Sequence, residues 1–328
     1  MNFKAIRTFL ILWFVSVICI NIKAQSPMYG LPEIRNFPRS EYAGGIQSWS
    51  VAETDNGLLY FANNSGLLEY NGTHWSLYKS IQAINRAVCA DSNRIYVGGF
   101  NEFGFYEEND KGMLDYHSLI HLIKDKIGDF DEIWRIHKTS FGIVFQSFRA
   151  IFIYHDGEID IIYPRLNFHF SYYVNGILWV YDEEQGLMHY RDGKLNTVPG
   201  GDYFIGTQIW SILPLNDDEV IIGTSTNGIF RYNGRKVIPW GSKINEQLKK
   251  YQLYSAMKLK NNYFAFGTIQ NGLIVSDTAG NLIFEMNKER GLQNNTVLGI
   301  GQDYKGNIWL CLDNGSYLGT GLHQLIRS

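Results

Sequence analysis

The sequence has little cysteine. Only three cysteines occur among 328 residues, at positions 19, 89 and 311. A disulfide-dependent secreted domain carries more cysteines at recurring spacings, so a packed core must stabilise this chain instead. Cys89 and Cys311 have apolar neighbours, which predicts buried strand positions, and a single bridge between them stays open.

The sequence also lacks a marked charge excess. The formal net charge is −3, the isoelectric point is about 6.2, and no run of Lys or Arg occurs outside the N-terminal segment. Nothing here attracts a phosphate backbone, so no nucleic-acid partner is predicted.

Long hydrophobic runs are missing after the first 22 residues. Residues 9–22 form one apolar run behind Lys4 and Arg7, and Ala24 offers a small residue for cleavage. The run is shorter than the roughly 20 residues that span a bilayer, so residues 1–24 are predicted to be a signal peptide. An uncleaved anchor and a lipoprotein modified at Cys19 are the weaker alternatives.

Strand-forming residues are abundant, and they recur in a repeat. Aromatics make up 15% of the chain. The unit Gly66-Leu67-Leu68-Glu69-Tyr70-Asn71-Gly72 recurs roughly every 40 residues, the length of a propeller blade. Equivalent positions are Gly66, Gly104, Ala150, Gly186, Gly228, Gly272 and Gly315.

Each unit reads as four strands, because an apolar segment, a polar Asp/Asn/Gly hairpin and further apolar segments follow in turn. Residues 25–328 are therefore predicted to be an all-β, seven-bladed β-propeller with four-stranded antiparallel blades. Residues 34–38 are expected to be the N-terminal strand that closes the last blade. A β-sandwich would not require such even spacing.

Two segments depart from the repeat. Residues 118–131 and 242–253 are insertions, each expected to contain a helical turn. After Gly315 the apolar pattern gives way to Ser316-Tyr317-Leu318-Gly319-Thr320, so the last blade is predicted to be incomplete at the C-terminus. We interpret this as a coding sequence that is cut short or shifted in frame within a longer protein.

No convincing catalytic constellation is found. Among eight histidines, only His117 and His121 have a spacing that suits a metal on a helix, and a solvated pair is the simpler interpretation. Carboxylate clusters near residues 107–110, 129–132 and 182–184 fall in predicted loops, where solvation is the default. No enzyme activity, cofactor or metal is predicted, although a polysaccharide-active enzyme stays as an alternative.

One position of the first strand is rich in aromatic residues and Arg, and it reads Trp49, Arg86, Trp134, Tyr172, Trp210, Ser255 and Leu298. If these side chains converge at the channel mouth, the aromatic faces would stack on sugar rings and an Arg would hold an acidic group. The competing interpretation is packing between blades. The candidate binding residues are Trp49, Arg86, Trp134, Arg135, Tyr172 and Trp210, with loop candidates that include Phe148, Arg149 and Tyr203.

Residues 295–310 and 208–232 resemble the two-component regulator propeller repeat, and the resemblance covers about residues 33–318. It implies a periplasmic sensor whose relatives continue into a three-tyrosine-motif domain, a membrane helix and a kinase or DNA-binding output. The implied ligand is an oligosaccharide or glycan, and dimerisation and membrane attachment would come from parts absent here. A solitary glycan-binding or scaffolding propeller is the alternative.

Overall fold

The structure is a computed structural model, and it describes residues 33–79, 84–240, 243–314 and 316–320. The predicted signal peptide and the last residues of the chain lie outside these ranges. Seven four-stranded antiparallel sheets contain all 28 strands of the described part.

Six blades each consist of four consecutive strands. Their strands are β2–β5 (Ser48–Glu53, Leu59–Asn63, Gly66–Tyr70, Trp75–Tyr78), β6–β9 (Asn85–Asp91, Arg94–Gly99, Glu102–Glu108, Leu114–Ser118), β10–β13 (Arg135–Thr139, Gly142–Gln146, Ile151–His155, Glu158–Ile162), β14–β17 (Phe168–Val174, Ile177–Asp182, Gly186–Arg191, Lys194–Thr197), β18–β21 (Ile209–Pro214, Val220–Thr224, Ile229–Tyr232, Val237–Pro239) and β22–β25 (Leu253–Lys258, Phe264–Thr268, Leu273–Ser276, Leu282–Met286). The first strands of successive blades contact one another around the central channel.

The remaining sheet is composite. Its order is β1-β28-β27-β26, and its strands are β1 (Glu33–Phe37), β26 (Val297–Gln302), β27 (Ile308–Leu312) and β28 (Ser316–Thr320). The prediction of seven blades is therefore corrected: six blades, not seven, consist of four consecutive strands. The composite sheet takes its fourth strand from the other end of the described chain, because only three described strands follow β25.

The expected breakdown after residue 315 is also corrected. Strand β28 pairs with β27 from Ser316 opposite Cys311 to Gly319 opposite Ile308, and with β1 from Ser316 opposite Phe37 to Thr320 opposite Glu33. Backbone groups make these hydrogen bonds, so a strand continues where the apolar side-chain pattern does not. The expected closing role of residues 34–38 agrees with this pairing.

Short helical elements connect the sheets. They are α1 (Arg39–Tyr42), α2 (Lys243–Tyr251) and three 3₁₀ turns at Ile120–Leu122, Gly201–Phe204 and Lys288–Arg290. The helical turns expected in the two insertions are therefore present. Ile123 and Ile244 are buried in the clusters between blades, so both insertions contribute to packing.

The core consists of apolar clusters between neighbouring sheets. In the cluster beside the composite sheet, Phe37 stacks on Trp309 with ring centroids 5.7 Å apart, and Tyr70 and Trp75 pack around them. Cys311 lies in this cluster, and burial raises its thiol pKa. Cys89 is half-buried, and both thiols are free, so the open question of a bridge is answered against it.

Candidate functional site

Irregular pairing at the start of the first strands sets the position of the site. In six of the seven sheets the register between the first and second strands shifts within the first few residues. Such a bulge leaves a residue unpaired and turns its side chain away from the ladder. The displaced residues are Trp49, Arg86, the pair His169 and Phe170, Trp210, Tyr254 and Leu298, and Trp134 immediately precedes β10.

Four of these displaced aromatics and Trp134 touch one another in a row. The ring centroids are 6.0 Å apart for Trp49 and Trp134, 6.2 Å for Trp134 and Phe170, 5.1 Å for Phe170 and Trp210, and 4.5 Å for Trp210 and Tyr254. We call these five residues the aromatic row. Phe170 is buried, whereas the other four members are half-buried and so keep part of their ring surface open.

A cleft of about 440 Å³ opens beside the aromatic row. Its lining residues are Asp131, Trp134, Phe148, Arg149, Asn167, Phe168, His169, Phe170, Glu183, Gln208, Trp210 and Tyr254. Phe148 stacks on Trp134 with centroids 5.4 Å apart and an interplanar angle of 16°. This size and mixture of aromatic and polar groups is typical of a small-ligand site.

Arg86 is held inside the protein by its neighbours. Its guanidinium carbon lies 4.1 Å from the Trp49 ring centroid and 5.2 Å from that of Trp134, and Nη2 donates to Oε1 of Glu132 at 3.2 Å. The side chains of Arg86 and Glu132 are only 16% and 15% exposed. The charge of Arg86 is therefore neutralised, and its main effect is to fix the two tryptophans.

Arg135 has different surroundings. Its guanidinium carbon lies 4.2 Å from the Phe170 ring centroid, and Nη1 donates to the main-chain oxygen of Trp134 at 3.1 Å. Among the described residues, no carboxylate forms an ion pair with it. Arg135 therefore keeps its charge against the back of the aromatic row.

Tyr172 is not a member of the aromatic row, although it is one of the candidates. Its hydroxyl donates to the main-chain oxygen of Ile209 at 3.0 Å, and Nδ1 of His169 approaches the same oxygen at 3.2 Å. Burial raises the pKa of Tyr172, and the charge of Arg135 opposes that rise. The structure thus places Tyr172 in a contact between blades.

Two histidines near this end of the channel are neutral at pH 7. Burial lowers the pKa of His137 to about 4, and the nearby Arg135 charge acts in the same direction. Burial likewise lowers the pKa of His169 to about 4, although its hydrogen bond to Ile209 opposes the shift. Neither imidazole therefore adds positive charge beside the cleft.

The structure brings together Trp49, Arg86, Trp134, Arg135 and Trp210, but sequence reasoning missed Phe170 and Tyr254. A simple signal marks them, because an aromatic residue followed by serine occurs at the start of four first strands. These dipeptides are Trp49-Ser50, Phe170-Ser171, Trp210-Ser211 and Tyr254-Ser255. Aligning on the serine would have replaced Tyr172 and Ser255 with the correct neighbours.

The carboxylate clusters have structural partners. Glu107 accepts from Asn93 and Arg94, and the buried Asp182 accepts from the main-chain nitrogens of Glu184 and Gln185 at 2.9 Å. Within the part of the chain that the structure describes, no group of three His, Cys, Asp or Glu side chains is arranged to hold a metal. No helix in the same ranges is long and apolar enough to cross a membrane.

The fold is shared with several solved propellers. The extracellular domain of BT4673 from B. thetaiotaomicron, assigned to a one-component system, aligns over 88% of this chain with a TM-score of 0.68 and 18% identity. The extracellular domain of the hybrid two-component system BT3049 from the same organism gives a TM-score of 0.67 and 16% identity over 88% of this chain. This chain spans only 40% and 42% of those two domains.

Virginiamycin B lyase from Staphylococcus aureus is also similar, with a TM-score of 0.67 and 12% identity over 88% of this chain and 98% of the lyase. No protein-family model and no curated protein matches the sequence. At these identities the likeness concerns the fold. The predicted resemblance to sensor propellers is confirmed at that level.

Proposed function

We propose that this chain is the ligand-sensing propeller of a signalling regulator and that it binds an oligosaccharide in the cleft beside the aromatic row. The observation that carries the proposal is the meeting of half-buried aromatic rings from several blades at one end of the channel. Rings that only packed the core would be covered by protein, whereas Trp134, Trp210 and Tyr254 line an open cleft.

The chemistry of the cleft suits a sugar. The apolar face of a pyranose packs on an indole or phenol ring, and its hydroxyl groups need hydrogen-bonding partners around the rim. Asn167, Gln208 and Glu183 provide such partners beside the aromatic surface. A purely apolar ligand would leave these groups without hydrogen bonds, which is costly.

The sensing role rests on the fold shared with the extracellular domains of BT4673 and BT3049. Export to the periplasm through the N-terminal apolar segment belongs to the same proposal. So do an output module, dimerisation and membrane attachment supplied by other parts of a regulator. A propeller that binds glycans without signalling would use the same cleft.

Calorimetry with a panel of neutral and acidic oligosaccharides tests the binding proposal. The purified protein is expected to bind at least one of them. Trp134→Ala and Trp210→Ala are each expected to weaken that affinity at least tenfold, since each removes a stacking surface. Tyr304→Ala is the matched control, because Tyr304 is an exposed aromatic on the opposite end of the channel. Unchanged affinity in both tryptophan variants would reject this site.

A second candidate function is an enzyme activity. The observation that favours it is the alignment with virginiamycin B lyase over nearly the whole lyase. Incubating the protein with polysaccharides and measuring new reducing ends distinguishes the two functions. We expect binding without turnover; turnover that disappears in Glu183→Gln or Asp131→Asn would replace the sensing proposal.

A further inference from the structure

Three arginines lie at the end of the channel that carries the aromatic row, which we call the aromatic end, and they are Arg86, Arg135 and Arg149. Arg86 and Arg135, which lie against the aromatic rings, differ in what remains available to a ligand. Arg86 is ion-paired with Glu132 and enclosed by Trp49 and Trp134, and its Nε is buried without a partner. Arg135 is half-buried, so part of it remains exposed, and only its Nη1 makes a hydrogen bond, to the main-chain oxygen of Trp134. A ligand can therefore reach Arg135 without breaking an existing ion pair.

The groups around Arg135 leave its charge uncompensated. His137, His169, Tyr172 and Tyr254 all lie close enough to feel its charge, and none is an anion at pH 7, because burial favours the neutral form of each. Farther out, Asp131 and Glu183 line the cleft together with Arg149, which is exposed. An unpaired guanidinium in a partly buried site is a strong anion receptor.

We propose that Arg135 binds a carboxylate or sulfate group of the ligand, so that the protein is selective for acidic saccharides. The inference rests on the proposed function for the sugar part of the ligand. Arg135 does not line the cleft itself, because its guanidinium lies over the ring of Phe170 between Trp134 and Trp210 in the aromatic row. The acidic substituent of a sugar stacked on either tryptophan would therefore extend past the row to meet the guanidinium. Arg86 is a positioning residue for the tryptophans and does not touch the anion.

Inorganic sulfate is the first probe, titrated against chloride at constant ionic strength while tryptophan fluorescence is recorded. Trp134 and Trp210 line the cleft and report on its occupation. A saturable change is expected for the wild type. Arg135→Met is expected to weaken the affinity for sulfate at least tenfold. Arg135→Lys keeps the charge but loses the planar guanidinium, so its affinity is expected to lie between those of the wild type and Arg135→Met.

Arg94→Met is the matched control. Arg94 also lies over an aromatic ring, 4.3 Å from the Phe105 centroid, and pairs with Glu107, but it is on another blade surface. This variant is expected to bind sulfate as the wild type does. If thermal unfolding shows that Arg135→Met does not fold, the anion site is tested instead with Arg135→Lys and with the acidic and esterified oligosaccharides described next.

The second probe is a matched pair, an oligogalacturonate and its methyl ester, in which the ester replaces each negative carboxylate with a neutral group one methyl larger. The acid is expected to bind at least tenfold more tightly than the ester, and Arg135→Met is expected to abolish that preference. Equal affinity for acid and ester, no saturable response to sulfate, or an unaffected Arg135→Met protein would each overturn the anion site.

The two proposals fail in different ways. A neutral oligosaccharide that binds through Trp210 while sulfate does not bind would leave the sensing cleft standing and reject the anion site. If sulfate binds through Arg135 while no oligosaccharide binds, the anion site stands and the oligosaccharide cleft is rejected.

Discussion

The two ends of the channel are held together by different kinds of contact. At the end formed by the hairpins between first and second strands, neighbouring blades exchange polar contacts, and we call it the hairpin end. The contacts are Glu53 with the main-chain nitrogen of Tyr304, Asp91 with Lys138, Tyr173 with Ser140, Asn175 with Asn216, and Lys260 with Gln302 and Asp303.

The aromatic end leaves several polar groups unsatisfied. Five buried side-chain atoms there have no hydrogen-bond partner among the described residues, and they are Nδ2 of Asn85, Nε of Arg86, Oε2 of Glu132, Oε1 of Gln146 and Nε1 of Trp210. The hairpin end has one such atom, Oδ1 of Asn261. A buried polar group without a protein partner is costly unless water or a ligand bonds to it. The hairpin end therefore stabilises the ring through direct contacts between blades, and the aromatic end is the one at which we propose binding.

The largest expected effect of a single substitution tests the hairpin end. Asp303 is buried and accepts hydrogen bonds from Asn307 N, Asn307 Nδ2 and Trp309 Nε1, at 2.8, 2.9 and 3.1 Å. Asp303→Ala leaves these donors without a partner, so we expect about 3 kcal/mol less free energy of unfolding in urea.

Asp277 provides the control, since Asp277-Thr278-Ala279-Gly280-Asn281 follows the same turn pattern on a more exposed hairpin. Asp277→Ala is expected to cost only about 1 kcal/mol, because water can replace the lost acceptor. Equal losses at the two sites would mean that burial of Asp303 does not govern this end.

The next effect is the acid sensitivity of the aromatic end. The unfolded chain binds protons on His137 and His169 near pH 6.5, whereas the folded chain binds them only near pH 4. Between these values the unfolded state holds more protons, so the free energy of unfolding falls as the pH decreases. The loss reaches roughly 2–3 kcal/mol for each of the two histidines by pH 4.5.

Chemical unfolding at pH 7, 5.5 and 4.5 measures this fall. His137→Gln keeps a donor for Ser171, whose main-chain oxygen lies 3.0 Å from Nε2. The variant is expected to flatten the pH dependence by about half. An unchanged slope would show that His137 titrates in the folded protein as it does in the unfolded chain.

A smaller effect separates binding from packing within the aromatic end. Tyr172→Phe removes the hydroxyl that contacts Ile209, so we expect a loss of about 1 kcal/mol in unfolding free energy and unchanged ligand affinity. Tyr254→Leu is expected to show the opposite result, with weaker binding and little change in stability. If Tyr172→Phe lost ligand affinity, Tyr172 would have to be assigned to the binding site and not to packing between blades.

The smallest effect concerns the ion pair between Lys138 and Asp91 at the hairpin end. The Lys138 side chain is 59% exposed. Exposed pairs contribute roughly 0.5 kcal/mol, so Lys138→Met is expected to change thermal stability only slightly, and less in high salt. A large loss would indicate that the polar contacts at this end act cooperatively.

Much of the fold was predictable, because the recurring glycines and Asn-Gly turns specify strand boundaries through local backbone geometry. Strand β28 was not, since its pairing depends on partners distant in the sequence and not on its own apolar pattern. Trp49, Trp134 and Trp210 were predictable from repetition alone. Phe170 and Tyr254 were missed because a bulge shifts the alignment by a residue or two, and side-chain partners such as Glu132 cannot be read from spacing.

The composite sheet also has a kinetic consequence. Each of the six blades forms from contacts between neighbouring segments, whereas pairing Glu33 with Thr320 joins residues at opposite ends of the described chain. Contacts at such separation form slowly, because ordering a long intervening segment must precede them, although the closure entropy grows only with the logarithm of length. The five-residue pairing between β1 and β28 should therefore form last during folding, and its formation would complete the ring.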